Sequence, residues 1–191
     1  MKFPDNYKVL NHTSFKSGNY SLIPIRYEDR IDIMQWRNEQ IYHLRQNKIL
    51  KIEDQNEYFQ KSISTLFIEE KPSQLLFSFL ENDICIGYGG LVHINWIDQN
   101  AEISFIMKTS LESAYFSDIW LVFLNLIEKI AFEELNLHKL CTYAFDIRPK
   151  LYPILEKSGY KLEARLIEQC FYNKEFIDVI IHSKFNSNGN S

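Results

Sequence analysis

Within ten residues, from Trp36 to Arg45, the chain places two arginines, an amide and two aromatic rings: Trp36, Arg37, Asn38, Tyr42 and Arg45. Guanidinium groups offer paired N–H donors to an anionic ligand, and rings beside them offer a stacking surface. The same set also suits a solvated helix face. A second feature is the stretch Ile84–Glu134, which runs from one apolar segment through paired glycines and a second apolar segment into a long amphipathic helix. Its strand-like runs, Ile84–Ile94 and Ala101–Met107, are separated by Asp98-Gln99-Asn100, which suits an antiparallel hairpin. A helix N-terminus carries unpaired backbone N–H groups, so a hairpin that feeds a helix makes an anion site without needing a charged side chain.

The elements that must position these residues follow from periodicity and punctuation. Ser21–Arg26 reads as a strand, Tyr27 to about Gln40 as a helix, Glu53–Ser64 as a second helix and Leu75–Leu80 as a strand. In the next strand Gly87, Gly89 and Gly90 mark a bulge or a close backbone approach. The long helix is expected from about Ser117 to Leu135, with Ser113 or Ser117 as its N-cap. His138–Phe145 is a strand, Arg148–Lys157 a short helix closed by Gly159, and two strands around Arg165–Tyr172 and Phe176–Ser183 complete the pattern. The order predicts an α+β fold, a mixed and mostly antiparallel sheet flanked by helices. Residues 1–20 read as an N-terminal arm or extra hairpin, 21–184 as one domain and 185–191 as a disordered tail.

Composition narrows the function classes. With 21 basic and 25 acidic residues spread without blocks and a net charge of −4, the chain has no nucleic-acid footprint. Cys85, Cys141 and Cys170 are widely spaced and lie in apolar runs, as buried free thiols do, so no metal site and no disulfide set is expected. No apolar run reaches the length of a membrane span and MKFPDNYK has no secretory h-region, so no membrane partner is expected and a cytoplasmic location is.

The element order over about residues 20–184, the hairpin IGYGGLVHINWIDQNAEISFIM and the helix end LEKSGY resemble the GNAT superfamily of acetyl-CoA-dependent N-acetyltransferases. IPIRYEDR, WRNEQIYHLR and AEISFIM together resemble those GNAT enzymes that acetylate amino groups of nucleotide-linked sugars in bacterial surface-polysaccharide pathways. The resemblance implies the GNAT fold, acetyl-CoA as cosubstrate, no metal, and a small amine acceptor, on a monomer or homodimer. Alternatives are acetylation of a protein N-terminus or a small polyamine, or a non-catalytic CoA-binding module.

Carried onto this sequence, the resemblance implies that the backbone of Phe105, Ile106 and Met107 pairs with pantetheine. It implies that Lys108 and the helix start, Ser113, Ala114, Tyr115, Phe116 and Ser117, meet the pyrophosphate, and that Glu102 receives the ammonium proton. Two departures are visible. The family's glycine-bearing pyrophosphate loop, R/Q-x-x-G-x-G/A, has no glycine here in Lys108–Asp118. The general-acid tyrosine expected four residues before Gly159 is Leu155, with Tyr152 one turn earlier as substitute and Arg148 where an asparagine is usual, on the cofactor side. The acceptor side implied is Arg37, Asn38, Tyr42, Arg45, Tyr88, His93 and Trp96.

Overall fold

The apolar run LLFSFL is buried at six successive positions, which requires cover on both faces of the sheet that holds it. A computed structural model describes residues 2–187. Among the described residues, one sheet contains β1 (Phe15–Ser17), β2 (Tyr20–Pro24), β3 (Leu75–Glu81), β4 (Ile84–Asn95), β5 (Asn100–Met107), β6 (Lys139–Phe145), β7 (Lys161–Tyr172) and β8 (Glu175–Phe185). Their spatial order is β1-β2-β3-β4-β5-β6-β8-β7. Every neighbouring pair is antiparallel except β5 and β6.

Helices cover the two faces. α1 (Arg30–Glu39), then α2 (Ile52–Glu57) running through a π-helical segment into α3 (Ser64–Leu66), lie on one side. Tyr88 faces that side, since its hydroxyl accepts from Arg37 Nη1 of α1 at 2.5 Å. α4 (Glu112–Glu128), extended by a π-helical Lys129–Glu134, lies on the other side. There Phe123 stacks on Phe105 at 3.9 Å, and Trp120 meets Phe105 edge-on at 5.1 Å. The glycines of β4 permit this packing. A Cβ on Gly89 would lie 2.2 Å from the Ser104 carbonyl oxygen and 3.0 Å from Phe123 Cζ. α5 (Tyr152–Lys157) ends at Gly159, whose φ of +87° is the left-handed conformation expected of a helix-closing glycine.

Two expectations change. α4 begins at Glu112 after a 3₁₀ turn, Thr109–Leu111, so Ser113 and Ser117 lie inside the helix and neither caps it. The N-terminal segment contains the extra hairpin, β1 pairing with β2, and packs on the core: Phe3, Tyr7, Leu10 and Phe15 are buried, and the Tyr7 hydroxyl donates to Leu76 O at 2.7 Å. At the other end Phe185 closes β8 and the buried Asn186 amide donates to Leu137 O at 3.1 Å, so the fold continues into the expected tail. Residues 188–191 of that tail lie outside the described residues.

Candidate active site

β5 and β6 pair in parallel only from Asn100 to Glu102, against Lys139 to Cys141. Beyond that rung β5 continues to Met107 and β6 to Phe145 with no ladder between them. Lys108 N–H donates to Ile86 O at 2.7 Å. Ladder alternation therefore turns the peptide groups of Glu102, Ser104 and Ile106 toward β4, and those of Ile103, Phe105 and Met107 toward the gap. One of these, Met107 C=O, already accepts from Gln40 Nε2 at 2.7 Å. A cavity of about 610 Å³ occupies the gap, walled by Glu102–Phe105 on one side and Thr142–Phe145 on the other, with Trp120 of α4 also lining it.

Glu102 is the only carboxylate among the described residues that line this cavity. Burial pushes its pKa above the ordinary carboxylate value, while the charge of Arg45 and then that of His93 pull it back. Arg45, on the loop after α1, makes an ion pair with Glu102 and lays its guanidinium 4.6 Å from the centre of the Tyr143 ring on β6. His93 reaches the cavity because β4 is irregular between Val92 and Asn95, where His93 takes a φ of +52°. A carboxylate held partly desolvated beside an open strand edge can accept a proton from a bound cationic amine.

At the wide end the wall is Arg148, which is buried. Its Nη2 donates to Glu112 Oε1 at 2.6 Å in the first turn of α4, and its guanidinium lies 5.0 Å over the Phe116 ring. His43 completes the cluster. Burial and then the Arg148 charge hold its pKa down to about 3, so the imidazole is neutral. Arg148 Nη1 donates to the neutral ring, lying 3.0 Å from Nδ1 and 2.9 Å from Nε2, and Gln40 Oε1 is 3.2 Å from Nε2. Trp120 Nε1, Thr142 Oγ1 and Arg148 Nε are buried polar atoms of cavity-lining residues with no hydrogen-bond partner in the protein. Such groups are costly unless a ligand or water satisfies them, which fits a site for a polar chain.

Of the expected site residues, the cavity wall brings together Glu102, Phe105, Arg37, Arg45, His93 and Arg148. Tyr152 stands outside it. Its hydroxyl donates to Asp146 Oδ1 at 2.7 Å, its ring stacks on His182, and burial followed by that hydrogen bond raises its pKa. The tyrosine in the wall is Tyr143. Asn38 is committed to the fold, donating to Leu50 O at 2.9 Å and accepting from Leu50 N at 2.8 Å. Trp96 Nε1 is tied to Pro72 O, Tyr88 is buried under Arg37, and Tyr42 sits off the wall against His43. Ile106 and Met107 line no part of the cavity, and Lys108, Ser113, Ala114, Tyr115 and Ser117 are exposed around the start of α4, with Phe116 buried beside them. The 3₁₀ turn before α4 explains the missing glycines, because no residue from 108 to 118 has a positive φ. His43, Gln74, Thr142 and Tyr143 were not anticipated, and nothing local in the sequence marks them as residues of one wall.

The family model for the acetyltransferase (GNAT) domain matches residues 23–181. The chain belongs to the GNAT acetyltransferase family. Spermidine N(1)-acetyltransferase of Vibrio cholerae serotype O1 is 30% identical over 104 residues, which is 52% of this GNAT chain and 58% of that relative. The alignment thus spans a little over half the length of that curated relative. Solved structures share the GNAT fold at low identity. Spermidine N-acetyltransferase from Vibrio cholerae in complex with CoA and spermine superposes with a TM-score of 0.76 at 20% identity, covering 90% of this chain and 98% of that one. A dodecameric structure of the same named enzyme gives 0.72 at 21% identity, covering 90% and 96%. The relatives named are spermidine acetyltransferases rather than enzymes of the sugar-acetylating subgroup that the local segments resemble. Among the described residues of this GNAT domain, no group of three or more His, Cys, Asp or Glu could hold a metal, and no helix is long and apolar enough to cross a membrane.

Proposed function

We propose that this chain transfers acetyl from acetyl-CoA to a primary amino group of a polyamine such as spermidine. The observation that carries the reading is Glu102, the one carboxylate among the described residues in the wall of a cleft whose other side is an open strand edge. The peptide groups of Ile103 and Phe105 would hold the pantetheine arm as an added strand, and Arg148 with the start of α4 would take the anionic end. The buried, unpartnered Trp120 Nε1 and Thr142 Oγ1 would face the polar groups of that arm.

In the chemistry, Glu102 accepts a proton from the substrate ammonium, directly or through water, leaving a free amine. The amine nitrogen forms the new C–N bond and the C–S bond breaks; the nitrogen gives up its second proton to solvent as the neutral amide forms, and the sulfur leaves as a thiolate that takes up a proton from solvent. A thiol of ordinary pKa is a fair leaving group near neutral pH, so no dedicated acid is needed. The net charge of −4 favours approach of a polycation.

A polyamine acceptor is supported over a nucleotide sugar by the relatives' acceptors and by Asn38, Tyr88 and Trp96, which are engaged in the fold rather than offered to a base or diphosphate. The test is CoA release from acetyl-CoA with spermidine, spermine, N-terminal peptides and nucleotide-linked 4-amino sugars. Release with the polyamines supports the reading. Release confined to sugars or peptides overturns the acceptor, and no release with any amine overturns the activity.

A further inference from the structure

Arg45 is an unusual neighbour for a proton-accepting carboxylate. Its guanidinium is bound to the Glu102 carboxylate and lies against the Tyr143 ring, with both partners in the cavity wall. A carboxylate beside an aromatic face is the pair of groups that recognises an alkylammonium, through charge on one side and the ring quadrupole on the other. Arg45 is half exposed and comes from the irregular loop after α1, so it can leave at small structural cost. We infer that Glu102 and Tyr143 form the subsite for the reacting ammonium, and that Arg45 fills it as an internal mimic which the incoming amine displaces. The inference rests on the proposed amine acetylation for its substrate, while the geometry of the mimic stands by itself.

The consequences follow from competition. An arginine that must be displaced raises the apparent KM of the amine and leaves that of acetyl-CoA alone. The charged and titratable groups that face Glu102 are Arg45 from the loop and His93 from β4, and the thiol of Cys141 lies beside it on β6. Removing Arg45 takes away the larger of the two stabilising charges on the carboxylate, so the Glu102 pKa rises.

The experiment uses the full chain and spermidine. Arg45→Ala is expected to lower the spermidine KM about threefold to tenfold, as loss of one part-exposed ion pair and ring contact implies. Arg45→Lys, which keeps a cation, is expected to stay near wild type. Tyr143→Leu is expected to raise the spermidine KM about threefold, and Tyr143→Phe, which keeps the ring face, to change it little. An unchanged or higher KM in Arg45→Ala overturns the mimic. A carbon-13 NMR titration of the Glu102 carboxyl, assigned with Glu102→Gln, needs no substrate. Its midpoint should move up by about 0.5 or more in Arg45→Ala. If spermidine is not a substrate but the midpoint moves, the acceptor fails and the mimic survives; if the midpoint stays, the mimic fails whatever the acceptor.

Discussion

Glu102 of β5 and Cys141 of β6 face each other at the last rung of the parallel ladder, and the two strands part immediately beyond them. The rung therefore sets the apex of the cleft, and the thiol feels the carboxylate beside it. Burial, and then the negative charge of Glu102, push the Cys141 thiol up to about 11. Removing the carboxylate charge should lower that value, since a neighbouring anion disfavours the thiolate. Alkylation of Cys141 by iodoacetamide, followed by mass spectrometry across pH, is expected to show a midpoint near 11 in the wild type and a lower one in Glu102→Gln. Equal midpoints would mean that the two side chains do not share a field.

The same carboxylate should control turnover. Glu102→Gln keeps the size of the side chain and removes its basicity, so kcat is expected to fall by about 10² to 10⁴ while the KM for acetyl-CoA is unchanged. The sign of the pH effect follows from the burial of Glu102. Its pKa is raised and the deprotonated form is the active one, so kcat/KM falls as pH drops through a value above the ordinary range for glutamate. In the glutamine variant that acid limb should vanish. A wild-type rate in Glu102→Gln would return Glu102 to a structural role.

Tyr152→Phe separates the two tyrosines near the cleft. The Tyr152 hydroxyl is spent on Asp146, so its loss is expected to cost about 1 kcal/mol of stability and to leave kcat within about twofold. A fall in kcat of a hundredfold or more with normal stability would restore Tyr152 as the proton donor to sulfur.

Much of the scaffold was readable because single-segment rules govern it. The β4–β5 hairpin was announced by two apolar runs around Asp98-Gln99-Asn100, and the end of α5 by Gly159. The start of α4 was misplaced because serines attract a capping assignment, whereas the chain here enters the helix from a 3₁₀ turn with Leu111 at the cap position. The site was only half legible. Glu102 and Arg148 came with the family pattern, but the cavity exists because β5 and β6 stop pairing, a relation between segments with no local mark in either. Asn38 and Trp96 misled for a related reason: polar groups that look free in sequence are satisfied by Leu50 and Pro72, far along the chain.

The apex also depends on a position with no side chain. A methyl group on Gly89 would meet the Ser104 carbonyl oxygen at 2.2 Å, Phe105 Cα at 2.8 Å and Phe123 Cζ at 3.0 Å. Two of those three neighbours are backbone, so relief requires β5 to move away from β4 and takes the cavity wall Ile103–Phe105 with it. Gly89→Ala is expected to cost about 2–3 kcal/mol. For a chain of this size that lowers Tm by roughly 4–12 °C. Because the displaced strand carries Glu102, kcat/KM measured well below the new Tm should fall as well. Gly18→Ala is the control, since its φ of +58° adds backbone strain but a Cβ there meets nothing within 4 Å, so it should destabilise by about 1–2 kcal/mol and leave kcat/KM unaltered. If Gly89→Ala melts like the wild type, β4 and β5 are not held as closely as the fold requires.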